Sequence, residues 1–261
     1  MKIFGLVGKK QSGKNTAANV VHGMVMKKMG LITDYKISDH GVLLIKSPNA
    51  LRGVEWVEFD VTRRDAEFIE YAESTFWPWV KCYSFADTLK DIIVHLFQVP
   101  PECVRGTDVQ KNTPIDHMLW ENMPGTTPDP AENTDRFYHP KGAMTGRELM
   151  QFFGTEIMRK MWGPVWLQDC MNKIITDSSE IALITDVRFP NEGQAIHDAP
   201  GNLLYLPRSV HKDGHASEAE VDNINRSLFT RELKDGTLQE MVAEIEMLFT
   251  PIVAELNIIE G

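Results

Sequence analysis

The residues best suited to chemistry stand near the start of the chain, in the run Gly8–Lys14 (GKKQSGK). This run matches the GxxxxGK pattern of a phosphate-binding loop. Its glycines allow successive backbone N–H groups to point at one anion, and the helix that follows adds its positive end. Lys14 brings a full positive charge to the β- and γ-phosphates. We therefore predict that ATP is bound by Gly8, Lys10, Ser12, Gly13, Lys14, Asn15 and Thr16.

The position after this lysine departs from the common pattern. A Ser or Thr that binds Mg²⁺ usually stands there, whereas this chain has Asn15 followed by Thr16. An amide oxygen is a weaker magnesium ligand than a hydroxyl combined with a carboxylate, so we expect the ion to be held through Thr16 or through water. The alternative for the whole run is a chance turn that caps a helix, and the strand before it and the helix after it disfavour that alternative.

An acid and an arginine end a buried strand later in the chain. The apolar run Ile181–Thr185 leads into Asp186, and Arg188 follows two residues on. Ligands of open α/β sheets bind beyond the carboxyl ends of the strands, and such an acid often helps to hold Mg²⁺ in phosphate-loop proteins. We expect both side chains at the same edge as the phosphate loop, with Asp186 and Thr16 as the metal ligands. A structural Asp–Arg pair that fixes a turn is the alternative.

A polar stripe lies on a helix that begins with the capping box Thr145–Glu148 and extends to about Met161. The spacing i, i+4, i+7, i+8 places four residues on one face. The arginine among them could hold a phosphate with two parallel hydrogen bonds, although a solvated helix face with an incidental glycine remains open. The stripe consists of Arg147, Gln151, Gly154 and Thr155.

Three further residues are weaker candidates. Lys90 lies in the first turn of a predicted helix and could touch a phosphate, although a solvated lysine is the commoner case. Arg208 follows the strand predicted at 203–206 and could lie over the ATP. Trp166 is expected in the core, or stacked on a base.

The apolar patterns predict strands that alternate with helices, and therefore an α/β fold with a mainly parallel sheet. We expect a single domain over residues 1–261, with an insertion at 33–80 and a Pro-rich lid or substrate-binding loop at 98–144. Strands are predicted at 2–7, 42–46, 55–61, 80–85, 181–186 and 203–206. Helices are predicted from about residue 16 to Gly30 and at 62–76, 89–97, 145–161, 165–176 and 238–248.

Composition narrows the classes of partner. With 27 Lys and Arg against 37 Asp and Glu, the 261-residue chain carries a net charge of −10, which argues against a non-specific nucleic-acid binder. No apolar run approaches the roughly 18 residues of a membrane span. The three cysteines, Cys82, Cys103 and Cys170, form no CxxC pair, so a reducing cytoplasm is the expected location. We expect no nucleic-acid and no membrane partner.

Several stretches together resemble the deoxynucleoside monophosphate kinases of tailed bacteriophages, within the P-loop kinase superfamily. The most specific are Thr145–Glu156 (TGRELMQFFGTE) and Thr185–Glu192 (TDVRFPNE). The family often has Asp where this chain has Asn15. The other matching stretches are Gly8–Thr16, Ser84–Lys90 (SFADTLK), Gly106–Thr113 (GTDVQKNT), Trp120–Asn122 and Trp166.

The resemblance implies a three-layer P-loop kinase fold, and ATP- and Mg²⁺-dependent phosphorylation of deoxynucleoside monophosphates to diphosphates. It also implies a possible homodimer, in the host cytoplasm if the protein is phage-encoded. The donor phosphates would contact Ser12, Gly13, Lys14 and Thr16. The monophosphate would contact Arg147, Gln151, Gly154, Thr155, Trp166, Asp186, Arg188 and Glu192.

In the mechanism that we expect, Lys14 and Mg²⁺ neutralise the donor side, Arg147 and Arg188 hold the acceptor phosphate, and Asp186 supports the metal. The two phosphate sites would face each other across one cleft. Two alternatives stay open: a kinase of another phosphorylated metabolite, of the dephospho-coenzyme A or phosphomevalonate type, and a nucleotide-binding protein without transfer activity. A DNA-packaging or repair ATPase is disfavoured by the acidic charge.

Overall fold

The computed structural model describes residues 1–47, 56–127, 137–139, 141–208 and 220–258. The chain folds into two compact units. The first unit combines residues 1–85 with residues 170–261, and the second comprises residues 86–169.

The first unit is built on a five-stranded sheet in which every neighbouring pair is parallel. A parallel sheet is buried on both faces, which requires near-continuous apolar runs, and the two central strands supply them. The structure thus confirms the predicted α/β class. The strand order across the sheet is β12 (Phe229–Glu232), β11 (Asn202–Tyr205), β1 (Lys2–Val7), β10 (Ile181–Val187) and β5 (Val80–Tyr83).

Helices pack around this sheet and close the main core. Helix α1 (Lys14–Lys28) follows β1 and packs against helix α9 (Leu238–Ala254), and Phe4 of β1 meets Phe249 of α9 with ring centroids 4.7 Å apart. Gly30 lies just beyond α1 with φ +73°, as the predicted helix end requires. The other helices of this unit are α2 (Ala66–Ser74) and α8 (Pro190–Asp198), and α7 (Val165–Asp177) begins in the second unit and continues into the first.

The predicted insertion contains a small antiparallel sheet of β2 (Asp34–Ile37), β3 (Leu43–Lys46) and β4 (Val57–Glu58). The last two strands were predicted, β4 at only part of the expected 55–61, and β2 was not. Four residues of mixed polarity give β2 no clear pattern, and tertiary contacts hold it instead, because Tyr35 lies against Gly23 of α1. The run 47–49 (Ser-Pro-Asn), which predicts a turn between the last two strands, lies largely outside the described residues.

The second unit contains the segment that was predicted as a lid, residues 98–144. Where it is described, this segment forms short elements, and its role as a lid stays a prediction. Strand β6 (Pro114–Leu119) pairs with β9 (Ala143–Thr145) in antiparallel fashion, and β7 (Thr126–Thr127) pairs with β8 (Phe137–Tyr138) in parallel. The other elements of the second unit include α3 (Asp87–Leu96), α4 (Glu102–Arg105), α5 (Asp108–Lys111), a 3₁₀ turn (Trp120–Asn122) and α6 (Gly146–Gln151).

The helix that begins after Thr145 has an unexpected winding. Its capping box is confirmed, since the Thr145 side chain accepts from the backbone N–H of Glu148 and the Glu148 carboxylate accepts from that of Thr145. After α6, however, the chain continues as a π-helix over Phe152–Arg159. Apolar periodicity does not distinguish the two windings, and π-helical segments are rare and often lie at functional sites.

No helix among the described residues is both long and apolar enough to cross a membrane.

Candidate active site

In the first unit, several candidate residues lie at the carboxyl edge of the sheet, where the ends of neighbouring strands are in register. Val7 at the end of β1 pairs with Val187 of β10 on one side and with Tyr205 of β11 on the other. The phosphate loop therefore starts beside Asp186 and Arg188. Arg208 follows the end of β11, where the backbone N–H of Leu206 donates to the carbonyl of Val7 at 2.8 Å.

The phosphate loop closes around its own lysine. The ammonium group of Lys14 donates to the carbonyl oxygens of Gly8 and Lys9, each at 2.7 Å, and lies 3.4 Å from the hydroxyl of Ser12. Ser12 is completely buried. Gly13 has φ +99°, and a Cβ there would lie 2.6 Å from the sulfur of Met241. This position therefore needs glycine for its backbone angle and for its space.

The loop is held from outside by an ion pair between Lys9 and Asp222, with a distance of 2.9 Å. Lys10 is partly exposed, and Asn15 on the first turn of α1 is exposed. Thr16 behaves differently, because its side chain is buried against the turn between β2 and β3. A Cβ on Gly41 of that turn would collide with the Thr16 hydroxyl, so the inserted hairpin fixes the surroundings of Thr16.

Asp186 is anchored at the end of β10 by the neighbouring strand. One carboxylate oxygen accepts from the Ser84 hydroxyl at 2.6 Å, and the other accepts from the backbone N–H of Phe85 at 2.9 Å. Sequence reasoning assigned no role to Ser84. Its position near the end of the strand predicted at 80–85 was the available signal, since polar residues at the carboxyl ends of adjacent parallel strands lie close together.

The turn after β10 is clamped by Glu192, which is only 2% exposed. One oxygen of its carboxylate accepts from the backbone N–H groups of Arg188, at 2.9 Å, and of Phe189, at 3.1 Å. Glu192 thereby fixes the backbone that carries the partly exposed Arg188 side chain. Its predicted contact with the monophosphate stays a prediction.

The oxygen donors at this edge fit magnesium chemically. Mg²⁺ prefers oxygen ligands, keeps several waters, and is commonly held by one or two carboxylates together with substrate phosphates. Asp186 offers a carboxylate, and Thr16 offers a hydroxyl. Among the residues that the structure describes, no group of three or more His, Cys, Asp or Glu side chains could hold a metal. A magnesium ion here would therefore need phosphate or water oxygens as further ligands.

In the second unit, Arg147 lies near the start of α6 and is held along one edge of its guanidinium group. Its Nε donates to the Asn112 side-chain oxygen at 3.0 Å, and its Nη2 donates to the Asp108 carboxylate at 2.7 Å. The Arg147 side chain is 29% exposed. Asp108 and Asn112 belong to a stretch that the family resemblance singled out, but sequence reasoning gave them no role.

The predicted polar stripe is only partly present. Gln151 and Thr155 are exposed, whereas Gly154 is buried, and a Cβ there would lie 2.8 Å from the Leu89 side chain of α3. The predicted placement of all four residues on one face is therefore not observed, since Gly154 faces α3 and the segment winds as a π-helix. The predicted contact of Gly154 with the monophosphate stays a prediction. Trp166 is 4% exposed, and its indole N–H donates to the Gly154 carbonyl at 3.0 Å.

Lys90 lies in a cluster of charges on and beside α3. Its ammonium is 3.7 Å from Asp87, and Arg105 contacts both Asp87 and Asp91. The Lys90 side chain is 22% exposed. Its predicted contact with a phosphate would have to be made in the presence of these carboxylates.

The chain is similar in sequence to two named proteins. No family profile matches the chain. A protein of Acanthamoeba polyphaga mimivirus, named provisionally as a deoxynucleotide monophosphate kinase, is 27% identical over 179 residues, which cover 62% of this chain and 79% of that protein. The deoxynucleoside-5'-monophosphate kinase of Escherichia phage T5 is 40% identical over 53 residues, about a fifth of each chain.

The chain is similar to deoxynucleotide monophosphate kinases. The resemblance predicted from the motifs is thereby confirmed by two named proteins, one of which is matched along most of its length. The similarity to the phage T5 kinase is higher in identity but short, so it supports a shared segment rather than the whole chain.

Proposed function

We propose that this protein transfers the γ-phosphoryl group of ATP to the phosphate of a deoxynucleoside monophosphate, giving a deoxynucleoside diphosphate and ADP. The observation that carries this proposal is the phosphate loop between β1 and α1, with Lys14 at the centre of a ring of loop oxygens. The similarity to two kinases named for this class of substrate supports the choice of acceptor.

The reaction needs little covalent help from the protein. An oxygen of the acceptor's α-phosphate attacks the γ-phosphorus, a new P–O bond forms, and the bond from the γ-phosphorus to the β–γ bridging oxygen breaks. The electron pair of that bond leaves on ADP. The attacking oxygen is already anionic near neutral pH, so no protein nucleophile or strong base is required. Catalysis then depends on positioning and on charge stabilisation.

We assign the donor side to the first unit. The backbone N–H groups of residues 8–14 surround the donor phosphates, and the ammonium of Lys14 exchanges its loop carbonyls for phosphate oxygens when the nucleotide binds. Bound magnesium would reduce the negative charge of the phosphates, with Asp186 and Thr16 as the protein groups that would hold it. Arg208 lies at the same sheet edge and is assigned to ATP.

We retain Arg147 of the second unit and Arg188 of the first as two separate candidates for contact with the acceptor phosphate. Both offer a planar fork of donors that matches two phosphate oxygens. Asp108 and Asn112 hold the side chain of Arg147. Glu192 holds the backbone of Arg188. Gln151, Thr155, Trp166 and Lys90 remain proposed contacts of the nucleotide.

A coupled assay of ADP release tests this function. ATP and magnesium are supplied with each of the four deoxynucleoside monophosphates, the matching ribonucleotides, dephospho-coenzyme A and phosphomevalonate. We expect at least one deoxynucleotide to give the fastest release, and the same preparation of Lys14→Ala controls for contaminating kinases. Release that is stimulated only by a non-nucleotide acceptor, or by no acceptor, would contradict the proposal.

A further inference from the structure

The contacts of Arg147 leave a defined part of its guanidinium group for a ligand. Asn112 accepts from Nε and Asp108 accepts from Nη2, and these two donors lie along the same side of the planar group. A guanidinium has five N–H donors in a fixed fork. These two hydrogen bonds therefore use the side edge of the guanidinium group. The N–H groups of its end edge, on Nη1 and Nη2, are directed away from both acceptors.

That end edge has the geometry for a phosphate. Two parallel N–H donors at the end of an arginine match two oxygens of a phosphate group. An arginine side chain has many rotamers, and holding it in one of them lowers the entropy lost when the ligand binds. Asp108 and Asn112 supply such a hold, because two hydrogen bonds to one planar group fix both its position and its tilt.

The two residues that hold Arg147 belong to a short helix with its own cap. Asp108 and Asn112 lie at the beginning and just past the end of α5. The helix is capped by a box in which the Thr107 hydroxyl accepts from the Gln110 backbone N–H, and the Gln110 side chain accepts from that of Thr107 at 2.8 Å. Because Gln110 stabilises α5 without touching Arg147 in these bonds, its substitution separates the stability of α5 from the hold on Arg147.

We propose that Asp108 and Asn112 are positioning residues that align Arg147 for the phosphate of the acceptor nucleotide. This assignment rests on the proposed kinase function. The two residues act through Arg147 and need not touch the nucleotide. The sequence motifs assigned no role to Asp108 or Asn112. The deciding observation is that both accept hydrogen bonds from the same side of one guanidinium group.

A double-mutant cycle tests the assignment. Asp108→Ala, Arg147→Ala and the double variant are compared with wild type, with KM measured separately for the deoxynucleotide and for ATP. We expect Asp108→Ala to raise the deoxynucleotide KM about tenfold, as loss of a charge-assisted hydrogen bond suggests, with the ATP KM changed less than about twofold. In the Arg147→Ala background the same substitution should have almost no further effect, because coupled residues are not additive.

Two further variants separate positioning from folding. Asn112→Ala removes the second acceptor and should shift the deoxynucleotide KM in the same direction as Asp108→Ala. Asp108→Asn keeps an oxygen acceptor and should recover part of the loss. Gln110→Ala weakens the cap of α5 and should leave the KM for both substrates close to wild type. Circular dichroism and urea unfolding confirm that each variant is folded.

The outcomes distinguish the two levels of the proposal. If wild type phosphorylates deoxynucleotides and Asp108→Ala affects KM equally with and without Arg147, the positioning role is overturned and the kinase function stands. The positioning role is likewise overturned, with the kinase function intact, if Gln110→Ala reproduces the effect of Asp108→Ala. If wild type shows no transfer to any deoxynucleotide, the kinase function and the assignment that depends on it are both overturned.

Discussion

Lys14 is the residue on which the proposed chemistry depends most directly. In the structure its ammonium is surrounded by loop oxygens, and the same group would meet the γ-phosphate as negative charge develops in the transition state. A donor that is already in place at that moment lowers the barrier without further reorganisation. Two loop carbonyls, each at 2.7 Å, keep the ammonium inside the loop, and in the proposed function phosphate oxygens replace them when the nucleotide binds.

We expect Lys14→Ala to lower kcat by roughly 10²–10³, about 3–4 kcal/mol, as for loss of one preorganised donor. Steady-state kinetics with saturating ATP and deoxynucleotide measure this change. Lys27→Ala is the matched control, because Lys27 lies in the same helix and pairs with the exposed Asp34 on the surface. Turnover of Lys14→Ala at the wild-type rate would remove Lys14 from the mechanism.

His22 is a buried residue that should make stability depend on pH. Its Nδ1 lies 2.9 Å from the Ala18 carbonyl, which can only accept, so this nitrogen carries the proton. Among the described residues its Nε2 has no hydrogen-bond partner. Burial disfavours the charged ring and lowers the pKa of His22 from 6.5 to about 4, while the bond to Ala18 opposes this in part.

The direction of the pH effect follows from this lowered pKa. Above pH 6.5 both the folded and the unfolded chain carry neutral His22, which then contributes nothing. Between pH 6.5 and about 4 the unfolded chain takes up a proton that the folded chain refuses, so stability is lost as the pH falls. Between pH 7.5 and pH 5 we expect a loss of about 2 kcal/mol from this residue.

Urea unfolding of wild type and His22→Leu at several pH values measures this contribution. The variant keeps every other titrating group, so the difference between the two curves isolates His22. We expect the wild-type free energy of unfolding to fall about 2 kcal/mol further than that of the variant over this range. Parallel curves would show that His22 is protonated as easily in the folded protein as in the unfolded one.

Among the strands of the inserted sheet, β2 is the one that the sequence patterns did not predict. The position of its hairpin with β3 depends on contacts with α1 that are distant in sequence, at Gly23 and Thr16. By contrast, β1, α1 and β10 were predicted with nearly correct bounds, since each has a continuous or periodic apolar run next to a turn signal. The π-helical winding after α6 left no signature in the residue pattern either.

The hairpin turn gives a prediction with an internal control. Gly41 and Gly30 have φ of +80° and +73°, so Ala at either position carries a backbone cost of about 1 kcal/mol. Only at Gly41 would the new methyl group collide with Thr16, whereas Gly30 has open space. We expect Gly41→Ala to lower the free energy of unfolding by a further 1–3 kcal/mol or so, the usual cost of overpacking.

Denaturant unfolding of the two variants measures this difference. Equal losses for Gly30→Ala and Gly41→Ala would mean that the turn moves away from α1 without cost. That result would also remove the contact through which the insertion constrains Thr16.

The start of α8 gives a second prediction at this scale. Glu192→Ala leaves the backbone N–H groups of Arg188 and Phe189 without their acceptor in a buried site, which should cost about 2–3 kcal/mol. Glu192→Gln keeps an oxygen of similar reach and should cost clearly less. Thermal unfolding of both variants provides the comparison, and equal destabilisation would show that the carboxylate is not acting as this acceptor.

For the whole molecule, alternating apolar patterns were sufficient to predict the fold class, and the stretches that resemble deoxynucleoside monophosphate kinases were sufficient to predict the kind of reaction. The division into two units was not encoded in any local pattern, since residues 1–85 rejoin residues 170–261 through sheet pairing across a long stretch of chain. The roles of Asp108, Asn112 and Ser84 were missed for a related reason. Each depends on a contact with a partner at least 35 residues away.

Transfer of labelled phosphate tests the central claim most directly. The protein is incubated with magnesium, ATP labelled at the γ-phosphate and a single deoxynucleoside monophosphate, and the products are separated by chromatography. The proposed function predicts label in the β-phosphate of the deoxynucleoside diphosphate, in an amount equal to the ADP formed. Label that remains in ATP, or appears only as inorganic phosphate for every deoxynucleotide tried, would contradict it.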